Sequence, residues 1–185
     1  MKSIKKVTLS FLLLALALFT TSAMAALPDP TIVDVLIASN SEGPYAGEFD
    51  TLIAAIDAYP LLLEILSGNG QVTLFAPTDD AFAAEGLNPE NIFYQGGGVC
   101  SLLYLMAHGH LYLSAENMFG KQQIRTFINI FCSSCFVPRG SLLEYSDGTL
   151  TDAMGREANI IGINIEAANG IIHVIDLLPV ACPWE

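Results

Sequence analysis

Residues 72–82 read Val-Thr-Leu-Phe-Ala-Pro-Thr-Asp-Asp-Ala-Phe, a strand pattern that halts at a proline and turns at once into a helix start. Alternation puts Val72, Leu74 and Ala76 on one face and Thr73 and Phe75 on the other. Pro77 ends the strand because it has no amide proton to offer a ladder. Thr78 suits an N-cap, and Asp79 and Asp80 fall in the first helical turn, where their charge meets the positive end of the helix dipole. Adjacent aspartates are also candidates for acid/base chemistry or half a metal site. Capping and dipole compensation account for both, so they are read as structural, with Phe82 as the first large apolar residue of the helix.

The N-terminus carries Lys2, Lys5 and Lys6 ahead of an apolar run over residues 9–19 and a small-residue site, Ala23-Met24-Ala25. This is the layout of a secretory signal peptide over residues 1–25, with a mature chain of one domain over 26–185. The run is shorter than the ~20 residues of a membrane span, and no later segment is long and apolar enough for one. No cysteine follows it where a lipid-modified N-terminus would need one. The expected location is therefore secreted, periplasmic or at the cell surface.

Removing the signal leaves four basic residues against nineteen acidic ones, a formal charge of −15 in place of −12. Nucleic acid, which needs a basic footprint, is excluded as a partner, as is simple adsorption to anionic lipid. Such a charge suits solubility, cations or a basic partner. No Asn-x-Ser/Thr acceptor is present. Four cysteines, Cys100, Cys132, Cys135 and Cys182, in an exported chain favour two disulfides over free thiols. Three pairings are possible; one joins Cys132 to Cys135 across a tight turn and Cys100 to Cys182. The Cys-x-x-Cys follows an apolar run and precedes Val137-Pro138, without the strand-then-helix setting of a redox pair or a second ligand pair for zinc.

Three helices are expected before the opening strand. Thr31 caps the first, over 31–39, with Asp34 as capping-box partner and Ile32, Val33, Leu36 and Ile37 as its apolar stripe. Phe49, Leu52, Ile53 and Ile56 repeat at helical spacing, and Pro60 suits the first turn of a third helix that the Gly68-Asn69-Gly70 turn stops. Residues 86–91 read as a loop, Gly96-Gly97-Gly98 as a flexible break, and 100–106 as a buried helix. His108 and His110 flank Gly109 with no carboxylate nearby, which favours a turn or surface pair over metal ligands. Strands are expected over 124–131, 142–145, 159–166 and 171–178. Ile161, Ile163 and Ile165 alternate with Gly162, Asn164 and Glu166, the pattern of a strand with one buried face. Asn169-Gly170 is a turn signal into a last strand that is apolar on both faces and hence central. His173 lies in it without a nucleophile, a His-Glu-x-x-His or a phosphate loop to complete a site, so a hydrogen-bonded core histidine is expected, while Asp176 needs a partner or an edge.

The stretch Thr73-Leu74-Phe75-Ala76-Pro77-Thr78-Asp79-Asp80-Ala81-Phe82 and the stretch Asn169-Gly170-Ile171-Ile172-His173-Val174-Ile175-Asp176, followed by Leu177-Leu178-Pro179, together resemble the two motifs of the fasciclin-like domain. The resemblance covers essentially all of the mature chain, as a single copy. It implies an α+β fold, a wedge of two β-sheets flanked by several helices, with the two motif strands near one another in the core. It also implies a non-enzymatic role in adhesion or matrix interaction, with no cofactor. Thr73, Phe75, Ala76, Pro77, Thr78, Asp79, Phe82, Asn169, Gly170, His173, Ile175 and Asp176 carry over as structural motif residues. The Tyr-His pair that many members use in adhesion falls, counting back from Ser114-Ala115-Glu116, on Leu105-Met106, so that determinant does not carry over. The last strand is a little shorter than usual, and the cysteines are not a general family feature.

Three functions follow for testing: a module binding an extracellular protein or polysaccharide, a carrier of a small apolar or pigment ligand in a groove of the wedge, and an enzyme, for which His173, Asp79 and Asp80 are the tempting groups. Fold constrains function only loosely. Neither the partner's identity nor the oligomeric state is legible. Recognition is expected in the loops, over residues 40–47, 88–98 and 107–120.

Overall fold

The computed structural model describes residues 29–95, 99–113, 122–128 and 142–181. The expected signal peptide, the triple glycine, and Cys132, Cys135 and Cys182 with their pairings lie outside these residues. Helix α1 (Ile32–Ser41) begins with a complete capping box: the Thr31 hydroxyl accepts from the Asp34 amide while the Asp34 carboxylate accepts from the Thr31 amide. The Thr31 hydroxyl also donates to the Asp34 carboxylate at 2.7 Å, and that bond first, then the one from the Thr31 amide, lowers the Asp34 pKa. Helix α2 (Asp50–Ala58) and helix α3 (Pro60–Ser67) follow, the latter with proline in its first turn, where no amide partner is missed. Ile32 and Leu36 are buried, but Ile37, assigned above to the same stripe, is 47% exposed. The stripe is narrower than the run of apolar residues suggested.

Strand β1 (Val72–Pro77) is buried along its whole length and runs directly into helix α4 (Asp79–Ala84), with the Thr78 hydroxyl accepting from the Ala81 amide. After the short helices α5 (Ile92–Gln95) and α6 (Val99–Tyr104) comes strand β2 (Met106–His108). The buried helix expected through Met106 thus ends earlier, and His108 closes a strand. Strands β3 (Gln122–Arg125), β4 (Leu142–Ser146), β5 (Thr149–Thr151), β6 (Glu157–Ala167) and β7 (Gly170–Ile175) complete the described elements. The last strand stops at Ile175 rather than continuing to Leu178. Strand β5 has no counterpart among the expected strands, because three residues give alternation too little length to register.

Among the described residues the seven strands hydrogen-bond in the order β2-β1-β7-β6-β5-β4-β3. The two motif strands are parallel neighbours, Val72 opposite Gly170 and Phe75 opposite His173, while every other pair is antiparallel. Strand β6 serves both halves: residues 157–159 pair with β5 and residues 160–167 with β7. The wedge is therefore two half-sheets sharing one long strand. Its free ends also meet, since Ala107 of β2 bridges Thr126 just beyond β3 and the Phe127 amide donates to the Met106 carbonyl at 2.9 Å.

The core joins α1, α2 and α3 to the sheet through Ile32, Leu36, Leu52, Ile56, Leu66, Leu74, Phe82, Ile172 and Val174, all essentially inaccessible to water. Each such side chain contributes about 1.5–3 kcal/mol by leaving water. Gly170 begins β7 where no side chain fits: a Cβ there would lie 2.1 Å from the Val72 carbonyl oxygen and 2.4 Å from Ile32 Cδ1. The isoleucines of β6 behave unlike the expectation. Ile161 and Ile163 are 50% and 46% exposed, because two bulges put Gly162 opposite Val174 and Ile165 opposite Ile172. The covered position between the bulges is Gly162, where a Cβ would sit 2.2 Å from the Tyr45 hydroxyl. Asn164 makes the second bulge possible with φ of +54°, a conformation asparagine tolerates better than the β-branched residues beside it.

Candidate functional site

Most polar side chains of the two motifs hold backbone groups. Asp79 lies in the first turn of its own helix, as expected, and in addition its two carboxylate oxygens accept from the Asp50 and Thr51 amides at 3.0 and 2.8 Å, capping α2 from a distance in sequence. Asp80, beside it, is exposed. The two aspartates are thus separated in role and form no pair. Buried Asn169 accepts from the Ile32 amide at 2.8 Å and donates to the Leu66 and Gly68 carbonyls, both at 2.8 Å, so one amide group joins the start of α1 to the end of α3. Asp176, at the exposed edge beyond β7, holds the amide and side chain of Asn159 at 2.7 and 2.8 Å. Phe75, Ala76, Phe82 and Ile175 fill the core.

His173 is fully buried, its ring stacked against Phe75 with centroids 5.7 Å apart. Nε2 lies 2.8 Å from the Leu111 carbonyl oxygen and Nδ1 lies 3.2 Å from the Asn164 amide. A carbonyl requires a proton on Nε2 and an amide requires a lone pair on Nδ1, which fixes the neutral tautomer. Burial lowers the ring's pKa from the ordinary value, and the Leu111 bond opposes that shift. A base so placed has no free nitrogen to present to a substrate.

Three further groups hold backbone: Thr73 was carried over as a motif residue without its partners, and Asn164 and Arg156 escaped the sequence reading. Thr73, inside β1, donates to the Gly109 carbonyl at 2.6 Å and accepts from the Leu111 amide at 2.9 Å. Asn164 grips the Leu113 amide and carbonyl at 2.9 and 2.6 Å. Arg156 donates to Asp152 at 2.9 Å, to Glu85 and to the Leu178 carbonyl, while Asp152 also accepts from the Met154, Arg156 and Val180 amides. Burial opposes the guanidinium charge, yet Asp152 and Glu85 outweigh it and raise the Arg156 pKa. Tyr104 stands beside this knot, accepting from the Ala153 amide and donating to the Leu142 carbonyl, and burial pushes its phenol pKa up. The signal for the knot lies in composition: a basic residue in so acidic a chain finds carboxylates.

Among the described residues, a groove of about 500 Å³ lies between the end of α3, the start of β1 and the β2–β3 seam. Leu61, Ile65, Val72 and Phe127 supply apolar walls, with Glu64 and His108 at the polar margin. The His108 ring stacks on Phe127 with centroids 3.8 Å apart, so that histidine forms a wall. His110 instead meets Tyr112 edge to face, centroids 6.1 Å apart. No group of three or more His, Cys, Asp or Glu able to hold a metal occurs among the described residues. No helix among them is long and apolar enough to cross a membrane.

The sequence profile of the fasciclin domain matches residues 47–178, which include both motifs, all seven strands and the groove. Protein sll1483 of Synechocystis sp. is 32% identical over 136 residues, an alignment covering 69% of this chain and 64% of that protein. Among solved structures, a FAS1 domain pair from the insect cell adhesion molecule Fasciclin I superposes with a TM-score of 0.47 at 19% identity, over 70% of this chain and 43% of that one. The chain thus spans less than two thirds of the length of either relative.

Proposed function

The chain belongs to the fasciclin-domain family, and from that premise we propose that it is an exported, single-domain, non-catalytic module that binds an extracellular protein or polysaccharide. The commitment of Thr73, Asp79, Asn169 and His173 to backbone partners supports this most. Those residues hold the fold, which leaves recognition to loops such as residues 40–47 and 88–95. With the signal peptide removed, a net charge of −15 favours a basic partner surface. The test immobilises the mature chain and offers extracellular polysaccharides and surface proteins of both charge signs across a salt series. Binding to at least one, weakening as salt rises, is the expected result. Failure to bind any of them at low salt would overturn the reading.

The apolar groove beside α3 supports a second reading, a carrier of a small apolar or pigment ligand. Protein purified from its native host and extracted into organic solvent would then release a compound detectable by absorbance or mass spectrometry. Ile65→Asp would abolish that release. Repeatedly clean extracts of the unaltered protein would sink this alternative.

A further inference from the structure

Residues 109–113 belong to no strand, yet they lie across three adjacent ones, tied down by one polar side chain from each. Thr73 of β1 holds the Gly109 carbonyl and Leu111 amide, His173 of β7 holds the Leu111 carbonyl, and Asn164 of β6 holds both backbone groups of Leu113. The fastenings are coupled, because the Asn164 amide that keeps this residue in its left-handed bulge donates to His173 Nδ1. We propose that residues 109–113 form a pH-sensitive latch: acidification protonates His173 at Nδ1, breaks its bond to Asn164 and loosens the segment from the sheet.

The chemistry is local. A proton on Nδ1 would face the Asn164 N–H, two donors meeting at a site sealed from water, and one must give way. The ring can keep its bond to Leu111, so the loss falls first on the Asn164 bulge and Leu113 and, through them, on the rest of the segment, Leu111 included. Among the described residues no neighbouring charge is available to stabilise the imidazolium. Strand β1 carries no charged residue; β6 carries only Glu157 and Glu166, both exposed; β7 carries none besides His173; the segment itself offers His110 and Tyr112, paired edge to face. Asp176, just beyond β7, is exposed and engaged with Asn159. Burial depresses the folded pKa below the unfolded value of about 6.5, so the unfolded chain binds the extra proton first. This ring's contribution to stability is complete above ~6.5 and is lost as pH falls through the window between the two values.

Amide hydrogen exchange of the mature chain, corrected for the intrinsic pH dependence, tests the latch alongside an NMR titration of the His173 ring. As the ring protonates, the Leu111 and Leu113 amides should exchange roughly tenfold faster or more, while the Leu143 and Tyr145 amides of β4 keep their protection. His173→Gln, which retains a donor but does not titrate, should flatten the pH dependence. If that variant does not fold, Thr73→Val offers a second handle: it loosens the segment at every pH while the remaining pH dependence tracks the His173 titration. Unchanged protection at Leu111 and Leu113 after the ring has protonated would overturn the proposal. So would protection lost uniformly across the chain, which would mark global unfolding instead of a latch.

Discussion

Strands β6 and β7 lie side by side, both rich in isoleucine, and meet opposite fates. Every residue of β7 is buried, since β1 and β6 flank it and apolar side chains cover both faces. Along β6 the isoleucines at 161 and 163 face water, and the covered position between them is a glycine. Apolar alternation locates a strand well; which face turns inward depends on register, and a single bulge moves every following residue to the other side. In β6 the bulges answer to Tyr45 packing over Gly162 and to Asn164 reaching for Leu113, contacts made with residues far away in sequence.

Glycine substitutions separate the two strands most sharply. Gly170→Ala forces a methyl into the Val72 carbonyl, a backbone atom with nowhere to go, and should cost about 3 kcal/mol or more, seen as loss of folded protein or a steep fall in Tm. Beside it, Asn169→Ala should lower the free energy of urea unfolding by about 3 kcal/mol, because it leaves the Ile32 amide and two carbonyls without their partner. On β6, Gly162→Ala meets a tyrosine hydroxyl that can swing aside, and a loss of ~1 kcal/mol in the same measurement is expected. A loss as large as that of Gly170→Ala would show the two strands to be equally rigid. The smallest effect belongs to the double change Ile161→Ser with Ile163→Ser, which should alter stability by no more than about 0.5 kcal/mol and raise solubility. A much larger loss would place those side chains in contacts absent among the described residues.

The strand-to-helix turn at Pro77 and Thr78, the Thr31 capping box and the proline start of α3 were legible because each depends on neighbours within a few residues. The two motif strands were legible by resemblance, and their parallel pairing gives that resemblance a physical basis. The grip of Asp79 on α2 was not legible: an aspartate two residues after a proline looks the same whether it caps its own helix or another. Thr73 likewise reads as an ordinary strand residue until Gly109 and Leu111 arrive beside it. The groove was least visible of all, since its walls come from α3, β1, β2 and the segment after β3, and no pattern in any one of them announces the others.

The register of β1 against β7 also governs how the protein must assemble. Val72 meets Gly170 and Pro77 meets Ile175, so the parallel pair at the heart of the sheet joins segments about a hundred residues apart. Closing so long a loop is entropically unfavourable before its contacts can repay the loss, which slows the folding of chains organised this way. During synthesis β1 emerges long before β7, and the edge that will face it waits with its ladder groups unpaired even once β2 has been made. Only when β7 arrives can the sheet be completed, which makes a strand synthesised much later a condition for β1 to settle.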